Sequence, residues 1–278
     1  MAPFIRTENY TGPLQAAIFD WAGTMVDHGC VGPVASFLDV FRKNGVEITL
    51  AEAREPMGLD KKDHIRALTR MDRVAKEWEK THGGKPDESV VDALYPDTEA
   101  MMVSSMVNHS DPIPGAIEAL EELRKMGLKI GSCTGYTRPM VDVLAPAAAA
   151  KGIKPDVVIC SSDVSKGRPY PFMAWLNAIR LEVYPVEACV KVGDTVADIQ
   201  EGLNAGMWTI GLTRTGNDVG LTLVEAEKAD PAELAAKVAM VTERFRKAGA
   251  HYVADGIWEV PAICREINAR LAKGEQPL

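Results

Sequence analysis

Ala17-Ile18-Phe19-Asp20-Trp21-Ala22-Gly23-Thr24 is an apolar run that ends in an acid, followed by a small residue, a glycine and a threonine. Ala17 to Phe19 reads as a buried strand, with Asp20 where that strand leaves the sheet. In open α/β sheets, ligands bind outside the carboxyl ends of the strands. The glycine lets backbone amides approach a ligand and Thr24 adds a hydroxyl, so the stretch can build an anion or metal site around a carboxylate. A buried strand followed by a polar turn is the plainer reading, and this stretch alone does not decide between the two.

Downstream, residues 26–109 read as helical. Apolar residues recur at helical spacing from Val34 to Asn44 and stop at Gly45, a helix terminator. Thr49-Leu50-Ala51-Glu52 is a capping box that opens a second helix, which Pro56-Met57-Gly58-Leu59 interrupts. Helices are expected over 60–69, 73–80 and 88–107, the last broken or kinked at Pro96. From Asp111-Pro112-Ile113-Pro114-Gly115 onward the pattern alternates, with strands expected at 128–132, 157–160, 189–192, 208–212 and 251–253 and helices between them. Such alternation argues for α/β architecture: a Rossmann-like parallel sheet with helices on both faces. The domains expected are an α/β core of residues 1–25 and 110–278 and an inserted all-helical cap of residues 26–109. The cap would stand like a lid over the end of the first strand.

With 278 residues, 46% of them hydrophobic, the chain can build a full core. Its net charge of -8 and lack of a basic stripe argue against a nucleic-acid partner. No apolar run approaches the roughly 18 residues that a membrane span needs. Met1 to Pro13 has no basic region followed by an apolar one, so no secretion signal is expected. The five cysteines are widely spaced with no Cys-x-x-Cys pair, which argues against a zinc site or disulfide framework and fits a reducing cytoplasm.

Strand ends supply the candidate chemistry. They present Asp20, then Cys133-Thr134-Gly135-Tyr136-Thr137, then Lys166-Gly167-Arg168-Pro169, then Gly193-Asp194-Thr195-Val196-Ala197-Asp198. Parallel strand ends lie side by side, so these groups can converge. Two carboxylates suit a hard cation such as Mg²⁺. A hydroxyl, backbone amides and an arginine suit phosphoryl oxygens. One aspartate can then attack phosphorus and form an acyl phosphate. Taken singly, Arg168 reads equally as a surface arginine and Thr134 as a turn residue; their order and strand-end positions give them weight.

That constellation resembles the haloacid dehalogenase superfamily over nearly the whole chain. The resemblance implies that Asp20 is nucleophile and Mg²⁺ ligand, that Ala22 offers its carbonyl to the metal and that Asp194 is the second carboxylate ligand, with Asp198 behind it. It makes Thr134 the second-motif hydroxyl and puts Arg168 where lysine is more common. Ala22 departs from the pattern. Phosphatases of the superfamily carry there an aspartate that protonates the leaving alkoxide and later activates water. Three explanations stay open: lost catalysis, a dehalogenase-like relative, or a leaving group that is not oxygen.

The cap bears on that choice. In Arg54-Glu55-Pro56-Met57-Gly58-Leu59-Asp60-Lys61-Lys62-Asp63-His64, Lys61 and His64 share a helix face. A lysine over a phosphoryl site suits phosphate binding or an imine, although Lys61-Lys62 also reads as a solvated charged face. An imine requires the amine to lose its proton, from an ordinary pKa of about 10.4. Burial, with Lys62, Arg168 or a metal nearby, would lower it.

Together, Phe19 to Thr24, Pro56 to Leu59, Thr134 to Thr137, Gly167 to Pro171, Val192 to Thr195, Ala205 to Thr209 and Gly249 to His251 resemble the phosphonatase family. This implies a Schiff base on Lys61 and hydrolysis of the carbon–phosphorus bond of phosphonoacetaldehyde to acetaldehyde and phosphate, in 2-aminoethylphosphonate degradation. It places Cys30, Met57, His64 and Tyr136 around the lysine, with Thr24, Gly58 and Gly135 supporting. A homodimer is also implied, and whether Phe37, Phe41, Met101 and Met106 serve it or the cap core stays open. The alternatives are an Mg²⁺-dependent phosphatase or phosphomutase acting on an ester, which Ala22 opposes, and a non-catalytic phosphate- or metal-binding module.

Overall fold

A computed structural model describes residues 9–277. The reading of the first residues as free of a secretion signal falls mostly outside them. Strand β1 (Ala16–Phe19) is followed by the five helices of the inserted layer: α1 (Val31–Lys43), α2 (Leu50–Arg54), α3 (Lys61–Arg70), α4 (Asp72–His82) and α5 (Glu88–Ser105). Then come α6 (Ala116–Lys125), β2 (Lys129–Thr134), α7 (Arg138–Ala150), β3 (Val157–Cys160), α8 (Phe172–Arg180), β4 (Cys189–Gly193), α9 (Val196–Asn204), β5 (Trp208–Leu212), α10 (Leu223–Lys228), α11 (Pro231–Lys247), β6 (Tyr252–Ala254) and α12 (Val260–Leu271).

The strands form one sheet in the order β3-β2-β1-β4-β5-β6, every pair parallel. Strand β1 shows why both faces need helices. Its four residues are all apolar and fully buried. Ala17 and Phe19 join the core shared with α6, α7 and α12, whereas Ala16 and Ile18 join the one built with α8. Successive strand side chains point to opposite faces.

The inserted helices continue the larger of these cores. Phe37, Phe41, Ile65, Leu68, Val91, Leu94, Met102 and Met106 are buried together. Phe37, Phe41 and Met106 are therefore interior to the helical layer, and Met101 is partly buried against it.

Three local expectations change. Helix α5 runs without a break through Pro96, because its buried face, Val91, Leu94, Thr98 and Met102, is held by packing on α1 and α3. Helix α7, which the alanine-rich run places at 141–151, starts earlier, at Arg138, because Pro139 suits a first helical turn. Helix α10 was not expected, although its signal, a Thr222–Glu225 capping box, stands in the sequence.

Candidate active site

In this strand order the chain moves outward one way through β2 and β3 and the other way from β4 to β6. The cleft beyond β1 and β4 is therefore the topological switch point, where open α/β sheets bind ligands. Asp20 follows β1 and Asp194 follows β4. The Asp20 amide donates to Val192 O at 2.9 Å, which seats the two acids side by side. Asp20, Asp194 and Asp198 each offer a carboxylate oxygen within 4.8 Å of the others, and all three are buried.

Arg168 and Lys191 lie under these acids. Arg168 Nη2 donates to Asp20 Oδ1 at 2.8 Å and to Cys133 O at 2.9 Å, and lies 3.0 Å from Asp198 Oδ1. Its Nε donates to Glu201 Oε2 at 2.9 Å. Lys191 Nζ donates to Asp198 Oδ1 at 2.5 Å. The other Asp198 oxygen accepts from Thr195 Oγ1 at 2.6 Å. Burial opposes the arginine's charge, but Asp198, Asp20 and Glu201 outweigh it and keep it protonated. Burial likewise opposes ionisation of Asp198, and here Arg168 and Lys191 win, so its pKa is lowered.

Asp20 and Asp194 behave differently. Burial raises both, with Asp20 and Asp198 adding to the rise at Asp194. Formally, four carboxylates face two cations here, counting Glu201, which leaves two negative charges in a buried site. A divalent cation fits that deficit and the oxygen donor set. Asp198 is already engaged by Lys191, Arg168 and Thr195, so Asp20 and Asp194 are the acids with capacity for a metal ion. Thr24 stands behind Asp194, its Oγ1 donating to Asp194 Oδ1 at 3.3 Å.

The helical layer closes over this site. Asp60 caps α3 by accepting from the Lys62 and Asp63 amides at 3.0 and 3.1 Å, which makes Lys61 the first helical residue. Asp20, Ala22, Cys30, Met57, Gly58, Lys61, Thr134, Gly135, Tyr136, Arg168 and Asp194 all line one cavity. That cavity is ≈ 20 Å³, room for about one water. A Cβ at Gly58, whose φ is +94°, would stand 2.4 Å from Thr195 Oγ1, and one at Gly135 would stand 2.5 Å from Leu59 O. The closed fit therefore requires glycine on both sides of the seam. Arg168 Nη1 also crosses it, donating to Gly58 O at 3.3 Å.

Lys61 is 3% exposed, and among the described residues it forms no ion pair. Its pKa is lowered, first by burial and also by Arg168; Cys30 and Asp20 oppose this. Tyr136, its ring centroid 4.8 Å from Nζ, also favours the charged form. The N-terminal end of α3 favours the neutral amine. Burial pushes the Cys30 thiol and Tyr136 phenol well up and the His64 imidazole well down, which favours the neutral form of each of these three neighbours.

Most residues expected at the site converge on this cavity, with instructive exceptions. His64 does not line it; it is buried behind Lys61, stacked on Phe37 with centroids 3.7 Å apart, with Nε2 3.0 Å from Ala53 O. Lys62 does not line it either; its amine turns outward to Asp92 at 2.5 Å. Sequence reasoning missed Lys191 and Glu201, and it gave Thr195, within the fourth strand-end motif, no role of its own. A signal for the first was present: Lys191 sits inside the apolar strand Cys189–Gly193, where a buried lysine needs an acid partner.

The fold and the acidic switch-point cleft define a haloacid dehalogenase-like hydrolase, whose family model matches residues 14–206. A phosphonoacetaldehyde hydrolase from Nitratidesulfovibrio vulgaris is 51% identical over 277 residues, covering 100% of this chain and 99% of that one. One from Bacillus cereus is 47% identical over 255 residues, 92% of this chain and 97% of that one. The crystal structure of a phosphonoacetaldehyde hydrolase-like protein from Oleispira antarctica superposes with a TM-score of 0.96 at 37% identity, covering 99% and 100% of the two chains. The chain belongs to the phosphonoacetaldehyde hydrolase family.

Proposed function

We propose that the protein hydrolyses the carbon–phosphorus bond of phosphonoacetaldehyde, giving acetaldehyde and phosphate, in 2-aminoethylphosphonate degradation. One observation carries this reading: a buried lysine amine and a buried aspartate face the same closed cavity, with alanine at position 22. Residues 26–109 act as a cap domain that opens and closes over the core formed by residues 1–25 and 110–278.

Cleaving a carbon–phosphorus bond directly would leave an unstabilised carbanion. The neutral Lys61 amine first attacks the aldehyde carbon, and loss of water gives a protonated imine. Asp20 then attacks phosphorus in line. The electrons of the breaking bond flow into the iminium and form an enamine. No alkoxide leaves, so no acid is needed at Ala22. Protonation of the enamine on carbon and hydrolysis release acetaldehyde and free Lys61. A second water cleaves the acyl phosphate and restores Asp20.

The geometry supports roles for further groups. Thr134 Oγ1 accepts from the Tyr136 amide at 3.1 Å, which leaves its proton for a phosphoryl oxygen. Arg168 orients Asp20 and spreads positive charge beneath it. Cys30, Met57 and Tyr136 keep the amine dry, and His64 packs behind it. Mg²⁺ held by Asp20, the Ala22 carbonyl and Asp194, with Asp198 behind them, would neutralise charge on the phosphoryl oxygens. Alignment of the reacting groups by closure can supply as much as roughly 7–11 kcal/mol.

The family reading includes a homodimer and a cytoplasmic setting. Among the described residues no helix is long and apolar enough to cross a membrane. Sedimentation velocity tests the dimer. For the reaction, the test is borohydride reduction with Mg²⁺ and phosphonoacetaldehyde, followed by peptide mapping. The expected product is alkylated Lys61. Phosphate release without an adduct would shift the reading to ester hydrolysis by Asp20 alone.

A further inference from the structure

Asn217, in the core, touches both Asp194 and the cap. The Asn217 amide donates to Asp194 Oδ2 at 2.8 Å, while its Nδ2 donates to the Arg54 carbonyl at 3.0 Å. Arg54, at the end of α2, returns the contact. Its Nη1 donates to Asn217 O at 3.0 Å, to Asn217 Oδ1 at 3.1 Å and to Gly29 O at 2.8 Å. Its Nη2 donates to Gly220 O at 3.0 Å.

The loop between β5 and α10, residues 213–222, is shaped for this guanidinium. A Cβ at Gly220 would lie 2.8 Å from Arg54 Cζ, so only a glycine leaves room for it. A Cβ at Gly216 would lie 2.7 Å from Asp194 Cβ, so the same loop also presses on the acid. The loop grips the first cap linker as well: the Gly29 amide donates to Thr215 O at 2.8 Å. Asn217 is 1% exposed. A loop that met the cap only to bury it would not need its amide on Asp194 and its side chain on Arg54.

We propose that Arg54 and Asn217 are positioning residues for the metal site: docking of the cap through Arg54 fixes loop 213–222, and the fixed Asn217 amide holds Asp194 in its ligating orientation. The assignment rests on the reading of Asp194 as a metal ligand. Neither residue touches the reacting atoms. Coupling is reciprocal, so cap docking tightens metal binding and metal binding favours the docked cap.

The test measures Mg²⁺ binding calorimetrically, without substrate. Arg54→Met keeps the apolar stem and deletes the donors; its Mg²⁺ dissociation constant is expected to rise about tenfold, within the usual range of coupling. Arg54→Lys recovers part of the loss. Asn217→Ala keeps the backbone amide but cuts the side-chain bonds to Arg54, and also weakens Mg²⁺ binding. Arg244→Gln, which removes an exposed pair with Asp218 on the same loop, binds like the wild type.

Hydrogen exchange on the wild-type chain gives a second readout. Mg²⁺ is expected to slow exchange in residues 54–59. Dissociation constants within twofold of wild type in folded Arg54→Met or Asn217→Ala overturn the proposal. So does absence of Mg²⁺-dependent protection in the wild type, which decides the matter if both variants fail to fold. A wild-type chain that binds Mg²⁺ with this coupling but leaves phosphonoacetaldehyde intact would remove the proposed reaction and keep the clamp.

Discussion

Arg168 Nη2 donates to Asp20 Oδ1 at 2.8 Å, in a place where the arginine side chain is 1% and the aspartate side chain 10% exposed. The guanidinium also bonds Glu201, Cys133 O and, across the seam, Gly58 O. Its planar fork sets these directions, and an ammonium offers no such fork.

Substituting Arg168→Lys is expected to preserve the fold and lower kcat by about 10–100-fold, through misorientation of Asp20 and loss of the Gly58 contact. Arg168→Met leaves three buried carboxylates short of a cation and should destabilise the protein by about 3–5 kcal/mol. Steady-state kinetics and denaturant unfolding check the two. Near-normal kcat in Arg168→Lys would show that charge alone suffices.

On the proposed reading, Lys61 must be neutral to form the imine. Burial lowers its pKa from the ordinary lysine value, so the neutral form is populated at lower pH than in a free lysine. The log of kcat/KM should rise with pH on the acid side and level off below the ordinary lysine pKa. Lys61→Arg should reduce turnover at least about 10³-fold while retaining the fold. A pH–rate profile and circular dichroism provide the measurement.

Gly58→Ala tests the seam. It places a methyl 2.4 Å from Thr195 Oγ1 on a backbone at φ +94°, a conformation that costs an L residue roughly 1–2 kcal/mol. The cap should then close poorly and kcat/KM should fall at least about tenfold. Gly84→Ala, on the outer loop of the cap with no atom within 4 Å of its Cβ, should leave kinetics unchanged. Equal effects of the two would mean that the seam is not closure-limited.

His109 Nδ1 lies 3.2 Å from Asp27 Oδ1, tying the two chain segments that connect helical layer and sheet. The Asp27 contact raises the His109 pKa from its ordinary 6.5, against burial. The folded state therefore binds this proton more tightly than the unfolded one. The contribution to stability is full below about pH 6.5 and is lost as pH rises through the elevated folded pKa. Melting temperatures of wild type and His109→Gln should differ more at pH 6 than at pH 9. A constant difference would remove the imidazolium from the account.

Much of the fold was legible because its signals are local. Buried strands end in acids that line the cavity, and Gly45 and Thr49 mark a helix end and a helix start where the structure has them. Pairings between distant segments were not legible. Arg54 and Asn217 lie 163 residues apart, and neither is unusual in its own neighbourhood. Lys191 announces itself as a charge in an apolar strand, but nothing local selects Asp198 as its partner. Lys61 and Lys62 are adjacent and chemically identical; only the rotation of α3 sends one inward and the other to Asp92. Pro96 shows the reverse failure, a strong local signal overridden by packing.

The cavity between Lys61 and Asp20 has room for about one water. An unprotonated amine is a general aldehyde trap, and a chain that kept it open to solvent would be modified by any carbonyl compound it met. On the proposed reading, a cap that parts from the core would expose the amine only during the intervals when it is open. Capture of substrate would then follow the frequency of opening instead of the frequency of collision. The same enclosure that shifts the amine toward its reactive form also rations access to it, so reactivity and protection have one structural source.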